Sequence, residues 1–359
     1  MNTDNEERKR REPSVYAQPG LELQTEEQET GGQEGKKKRR GHYGLALRLI
    51  FLLFLVLLIL CGALFSVVYY SASKTDYQPY REFKEDPAWG LPAAGEEDVM
   101  NILLIGTDGR NRDQESRSDT IVLCSICPRQ KTIWLTSILR DSYVTIPDYG
   151  MNRINHAYQM GGARLLAETI EMNFHVRIDR YVKVDFFSFV DIIDALGGVT
   201  VDIRDEEIHY LNAYLCDVNL LTGRPAEEDF LASGGTYRLT GRQALAYSRI
   251  RYIGTDFGRT ERQRTVLQAA FREVKKKPFK AVTAAYGVLP ELVTDLTELE
   301  ITAMALKLPA YAGYEIVSDQ IPFDHMWQNA EMPNGQEVLS MDLPAVTAEL
   351  LKRLYVNRR

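Results

Sequence analysis

Histidine and cysteine are scarce in this chain, with five His and four Cys among 359 residues. His156, His175, His209 and His325 show no i, i+4 spacing of the kind that places two metal ligands on one helix face, so they read as surface or core histidines. Cys124 and Cys127 stand three apart in the apolar run Ile121–Cys127, which reads as a strand, and their side chains then point to opposite faces. Cys61 and Cys216 stand alone, no second pair completes a zinc site, and all four read as reduced or buried thiols without a disulfide framework. The sequence also has no Gly-x-Ser-x-Gly elbow and no phosphate-binding Gly-x-x-x-x-Gly-Lys loop, which counts against a serine hydrolase and an NTPase. A global basic field is missing too: the net charge is −7, and no nucleic acid is expected as a partner.

What is present is arranged in blocks. Residues 1–43 are polar, rich in Glu, Gln and Gly, and read as a disordered tail that ends in the basic block Lys36–Arg40. Leu49–Tyr70 then runs for 22 residues without a charge. As a helix it would extend about 33 Å, enough for a hydrocarbon core of about 30 Å. Residues 44–70 are therefore expected to hold a single transmembrane helix. The basic block before it keeps the N-terminus in the cytoplasm, and the rest of the chain lies outside the plasma membrane. A cleaved signal peptide is the rival, since Ser71–Ser73 are small, but the apolar run is long for a signal core. Residues 71–97 contain Pro79, Pro87 and Pro92 and read as a linker, and 98–359 as the folded domain.

Within that domain, strands are expected at Asn101–Ile105, Thr120–Ile126, Thr132–Ile138, Tyr181–Asp185, Val199–Ile203 and Tyr314–Ile321. Helices are expected over 155–171, Phe186–Leu196 (stopped by Gly197 and Gly198), Thr240–Tyr247, Gly258–Lys277, Leu299–Leu308 and Pro344–Tyr355. Residues 205–235 read as loop-rich, with room for a hairpin or lid, and Ser248–Tyr252 as extended. Alternation of strands and helices gives an α/β class: a central mixed sheet flanked by helices.

Two constellations could carry chemistry. Residues 238–264 hold seven arginines, no lysine, and only Asp256 and Glu261 as acids. The planar guanidinium fork matches phosphate oxygens bidentately, which a lysine does not. Arg249 and Arg251, two apart on an extended segment, share a side, and Arg259, Arg262 and Gln263 share a helix face, with the turn at Asp256 and Gly258 between the groups. These five could converge on one anion; a solvated basic face with ion pairs is the plain alternative, and it is the better reading for Arg238, Arg242 and Arg264. The second constellation lies at strand ends: Gly106–Asp108, Arg117–Thr120 and Arg140–Asp141. Carboxylates beside arginines suit a divalent cation shared with a diphosphate, or else an Arg–Asp ion-pair network. Phe174, Val184, Phe186, Phe187, Phe189, Val190, Ile193 and Leu196 exceed what one helix face needs. They are either ordinary core or the wall of a groove for a prenyl chain.

Taken in order, Asn101–Asp108 (NILLIGTD), Arg117–Thr120 (RSDT), Ser137–Asp141 (SILRD), Arg153–Tyr158 (RINHAY) with Gly161 and Gly162, Asp194–Val199 (DALGGV), Ala244–Arg251 (ALAYSRIR) and Asp256–Gln263 (DFGRTERQ) resemble the LytR–CpsA–Psr domain. The resemblance covers roughly residues 98–275, with 276–359 as a flank. It implies a phosphotransferase that moves a glycopolymer, such as a teichoic acid or capsular polysaccharide, from a polyprenyl-pyrophosphate carrier onto peptidoglycan. It also implies that Arg117, Arg140, Arg249, Arg251, Arg259 and Gln263 hold the pyrophosphate and that Asp256 orients arginines. Asp108 and Asp119 would bind Mg²⁺ (or Mn²⁺) or position the acceptor, and Arg117, Arg251, Asp108 and Asp119 would form the catalytic set. Leu139 and Asp148 depart from the family's usual Pro and Gly, which puts local loop geometry in question, and Arg153 replaces a frequent Lys. Two other functions fit the same residues: a pyrophosphatase with water as acceptor, and a non-enzymatic envelope module that binds lipid or glycan.

Overall fold

The computed structural model describes residues 55–56, 58–59, 62–63, 65–79, 99–108, 118–251, 253 and 255–355. Two units are distinguished, Met1–Ile59 and Leu60–Arg359. In the first, Leu55, Val56, Leu58 and Ile59 are helical and exposed. Among the described residues no helix is long and apolar enough to cross a membrane. Much of the expected span at Leu49–Tyr70, and all of the tail at 1–43, lie outside the described residues.

The second unit is built on a mixed seven-stranded sheet. Its strands are β1 (Asp76–Tyr77), β2 (Met100–Thr107), β3 (Ser118–Cys127), β4 (Thr132–Ile138), β7 (Arg180–Val184), β10 (Val293–Thr294) and β11 (Glu315–Ile321), in the order β1-β10-β7-β2-β3-β4-β11. β2, β3 and β4 run antiparallel in succession, whereas β7 is parallel to β2 and β11 is parallel to β4. This topology brings the C-terminal ends of β2, β4, β7 and β11 and the start of β3 to one end of the sheet.

The period-two alternation of the strands sets the layers. Leu103, Ile105, Ile121 and Leu123 face helix α1 (Ile154–Phe174) and helix α8 (Leu343–Tyr355) in the main core, with Phe174 fully buried among them. Ile102, Val122, Cys124 and Leu135 face the other way, toward α5 (Thr255–Lys276) and α7 (Glu298–Tyr311). Cys124 and Cys127 therefore fall in different layers, and burial raises both thiols to about 12, where they are inert.

A third core packs α2 (Phe186–Ala195), α3 (Asp205–Leu221), α4 (Gly241–Arg249) and Val266, Ala269 and Ala270 of α5 over the pair β8 (Val199–Ile203) and β9 (Gly235–Leu239). Helix starts follow local chemistry. Asp185 caps α2 by accepting from the Ser188 N–H at 2.8 Å, and Thr240 and Gln243 form a capping box on α4. Gly197 and Gly198, at φ +81 and +87, end α2 as expected. Hairpins β5 (Tyr143–Ile146) to β6 (Gly150–Arg153) and β12 (Trp327–Glu331) to β13 (Glu337–Met341), and helix α6 (Pro278–Val288), complete the unit.

Several expectations are corrected. The region read as loop-rich at 205–235 begins with the 17-residue helix α3, whose Leu211, Leu215 and Val218 are fully buried. The segment read as extended from Ser248 is helical through Arg249, because α4 continues to the non-helical Ile250. Gly258 lies inside α5 rather than in a turn, since that helix starts at Thr255. Helix α1 is broken in its middle by the non-helical Gly161 and Gly162. Asp148 adopts φ +63, the left-handed conformation a glycine would take, which a short Asp side chain tolerates.

Helix α4 approaches α2 very closely. A Cβ built on Gly241 would lie 2.2 Å from the Val190 carbonyl oxygen, and the Gly241 N–H donates to Asp194 at 2.7 Å. Gly241→Ala is expected to lower stability by about 1–3 kcal/mol, measured as the shift in urea midpoint at unchanged slope.

Candidate active site

The space between α2, α3, α4, α5 and the sheet is a cavity of about 500 Å³, within the size range of small-molecule sites. Its wall is apolar: Leu104 and Val122 from the sheet, Phe186 and Phe189 from α2, Val266 and Leu267 from α5. Of the apolar surplus noted in the sequence, Val184, Phe186, Phe189 and Ile193 reach this wall, whereas Phe174 belongs to the main core.

Polar groups gather on the same cavity. Arg249, Arg251, Arg259, Gln263, Asp108 and Asp119 all line it. Arg249 ends α4 and Arg251 follows two residues later, so the single non-helical residue Ile250 places both guanidiniums on one space. The Arg249 guanidinium lies 5.1 Å from the Phe186 ring centre and 5.2 Å from that of Tyr214, a double cation–π contact that fixes its plane. Arg259 and Gln263 lie one turn apart on α5, with Val266 and Ala270 continuing the same stripe.

Asp119 joins the rim to the sheet. It accepts from Arg140 at 3.2 Å and from Arg251 at 3.4 Å. Arg140 also pairs with Asp141 at 3.4 Å, and Asp141 with Arg153 at 3.3 Å. Charges alternate along this chain, so Arg140 is held in place by carboxylates on both sides, while Arg251 at its end stays half exposed. Arg140 is not itself a lining residue; it acts on the cavity through Asp119. Arg117 lies outside the described residues, as does the side chain of Asp256.

Arg262 is corrected. It sits about 60° around the helix from Arg259, by the step of about 100° per residue, and so faces α3 instead of the cavity. Its Nε donates to Glu207 at 2.7 Å, and its other nitrogens donate to the carbonyls of Ile250 at 3.3 Å and Ile253 at 3.1 Å. Arg262 therefore clamps the loop that carries Arg251. Burial alone would raise the Glu207 carboxyl; hydrogen bonds from Arg204 and Arg262 outweigh it and hold Glu207 below the usual carboxylate range. Arg238, Arg242 and Arg264 do point elsewhere: Arg238 to Glu273, Arg242 to Asp229, and Arg264 into a separate polar cavity beside Gln320.

Sequence reasoning missed Tyr214 and Asp217, which line the cavity from α3, and the Glu207 clamp. The apolar spacing Leu211, Leu215, Val218 and the acidic first turn Asp205–Glu207 were the available signals of that helix.

The mixed α/β domain thus holds in one cavity an apolar wall and a rim of guanidiniums, groups that can donate to phosphate oxygens. The chain belongs to the LytR_cpsA_psr family, whose model matches residues 64–349. It is 37% identical over 227 residues to the polyisoprenyl-teichoic acid–peptidoglycan teichoic acid transferase TagU of Oceanobacillus iheyensis, a match covering 61% of this chain and 64% of that one. To TagU of Enterococcus faecalis it is 29% identical, over 85% of this chain and 96% of that one. Bacillus subtilis YwtF (TagT) with bound octaprenyl pyrophosphate lipid is similar in fold, at a TM-score of 0.55 and 27% identity over 79% of this chain and 98% of that one.

The Glu207–Arg262 clamp makes a prediction. A carboxyl held low contributes stability that is complete above its unfolded value, about 4.3, and is lost as pH falls through the lower folded value. Glu207→Ala is expected to cost about 3–5 kcal/mol at neutral pH, because it strands a buried guanidinium. It should also flatten the acid limb of the stability profile, measured by urea unfolding at a series of pH values.

Proposed function

We propose that this protein is a membrane-anchored phosphotransferase. It moves a glycopolymer from a polyprenyl-pyrophosphate carrier onto peptidoglycan outside the plasma membrane. The observation that carries this reading is the pairing of chemistries in one cavity: an apolar wall for a prenyl chain, and Arg249, Arg251, Arg259 and Gln263 for a diphosphate. The names of the TagU relatives and the lipid bound in YwtF (TagT) support the same substrate class. The uncharged run at Leu49–Tyr70 and the basic block before it support a single-pass anchor with its N-terminus inside.

In this mechanism the guanidiniums neutralise the diphosphate and hold its bridging oxygen ready to leave. A hydroxyl oxygen of the acceptor attacks the sugar-side phosphorus. The bond from that phosphorus to the bridging oxygen breaks, and the lipid departs as a monophosphate. The acceptor proton passes to a carboxylate at the rim, Asp108 or Asp119. Both carboxylates line the cavity beside arginines, a hard-oxygen donor set suited to Mg²⁺ (or Mn²⁺) completed by phosphate oxygens and water. Among the described residues no group of three or more acidic, His or Cys side chains forms a metal cage. Bound there, the cation would add positive charge against the diphosphate.

Arg249→Ala and Arg251→Ala are each expected to lower turnover roughly 10²–10³-fold while the domain stays folded. The assay uses the full chain in lipid nanodiscs with a lipid-linked donor and labelled peptidoglycan, and follows release of lipid monophosphate. Unchanged turnover overturns the assignment. Release of free sugar phosphate without labelled peptidoglycan would identify a pyrophosphatase instead.

A further inference from the structure

A second cavity, of about 550 Å³, opens beside the edge strand β11. Its lining is unlike that of the first. Glu261, Asp319, Asp324 and Glu349 supply four carboxylates, and Arg264 and Arg353 supply two guanidiniums. Both arginines are held by the cavity itself. Arg264 donates to the Gln320 amide oxygen at 3.0 Å, while Arg353 pairs with Asp319 and donates to Glu349 at 2.9 Å. Two aromatic rings complete the lining: Phe257 stacks on Trp327 at 4.8 Å, and the Arg353 guanidinium lies 4.2 Å from the ring centre of Phe323.

Strand pairing and helix phase place this cavity next to the first. Gln320 pairs with Ser137 of β4, and Ser137 pairs with Val122 of β3. Just beyond, the Leu139 N–H donates to the Ile321 carbonyl at 2.9 Å, and the next residue, Arg140, reaches Asp119. Two strand spacings, about 10 Å, thus separate the end of β11 from the start of β3. Helix α5 is the partition on the same scale. Phe257, Glu261 and Arg264 line the second cavity about half a turn around from Arg259 and Gln263, which line the first, and a helix is about 10–12 Å across. Charge then decides between the two substrates. Four carboxylates against two guanidiniums repel a phosphodiester-rich glycopolymer. The same lining suits an uncharged, hydroxyl-rich strand. Carboxylates accept from sugar hydroxyls, Gln320 and the arginines donate to hydroxyl and acetamide oxygens, and aromatic faces pack on the C–H face of a pyranose.

We propose that this second cavity is the acceptor subsite, which seats the N-acetylated glycan strand of peptidoglycan beside the diphosphate. A strand held against the end of β11 extends along the sheet end toward Asp119, so that a neighbouring sugar presents its hydroxyl there. The inference rests on the transferase reading above, and deepens it by naming where the acceptor binds.

The test uses the full chain in lipid nanodiscs, a lipid-linked donor, and a soluble peptidoglycan tetrasaccharide as acceptor. One variant combines Glu261→Ala with Asp324→Ala, both at exposed positions where the fold is spared; a second is Gln320→Ala. Each is expected to raise the acceptor KM about tenfold, the scale of one lost hydrogen bond, while the donor KM and kcat are kept. Calorimetric titration with the tetrasaccharide alone should show the same loss of affinity. If transfer proceeds and the acceptor KM is unchanged in both variants, the subsite is overturned and the transferase reading stands. An equal rise in both KM values would show a disturbed fold instead of a lost acceptor contact, and would also overturn the subsite. If the unaltered protein releases no lipid monophosphate from the donor, the transferase reading itself fails, and the acceptor role with it.

Discussion

A guanidinium beside an apolar cavity has lost part of its water, and something else must hold its charge and its orientation. That constraint shapes this site. Arg249 is held by the faces of Phe186 and Tyr214, and Arg251 by Asp119, which is tied in turn to Arg140. Arg259 is almost fully buried on α5. Because these arginines are fixed before a ligand arrives, little ordering is left for the moment of binding, and the positive charge stays aimed at one space.

The clamp around Arg262 extends the same logic one layer outward. The residue looks like another phosphate ligand in the sequence, yet it spends its donors on Glu207 and on two carbonyls of the loop between α4 and α5. A buried ion pair of this kind adds little net stability against an apolar replacement. Its value is positional: it sets where Ile250 lies, and hence where Arg249 and Arg251 point. Helix α3 supplies Glu207, Tyr214 and Asp217, so an element that could pass for a loop connects fold and chemistry.

The apolar layers show a similar economy. The residues that fill the space between sheet and α5 also form the cavity wall, and the same layer reaches α7 through Met304. Cavity, sheet and α7 are thus parts of one packed layer.

The sequence by itself determined the period of each main strand, the glycine stop of α2, and the enrichment of arginine over lysine in one stretch. These are local properties, set by neighbours a few residues away. It also placed Arg249, Arg251, Arg259 and Gln263 together, because their spacings survive whether the first pair is extended or ends a helix. Only the tertiary structure decided that Arg262 turns to α3, that Arg140 works through Asp119, and that α3 joins the site. In each case the deciding partner lies far along the chain: 55 residues separate Glu207 from Arg262, and 132 separate Asp119 from Arg251. A helix position about 60° off a stripe is indistinguishable from one on it until the neighbouring helix supplies a carboxylate, and that supply is a fact of packing, not of local sequence.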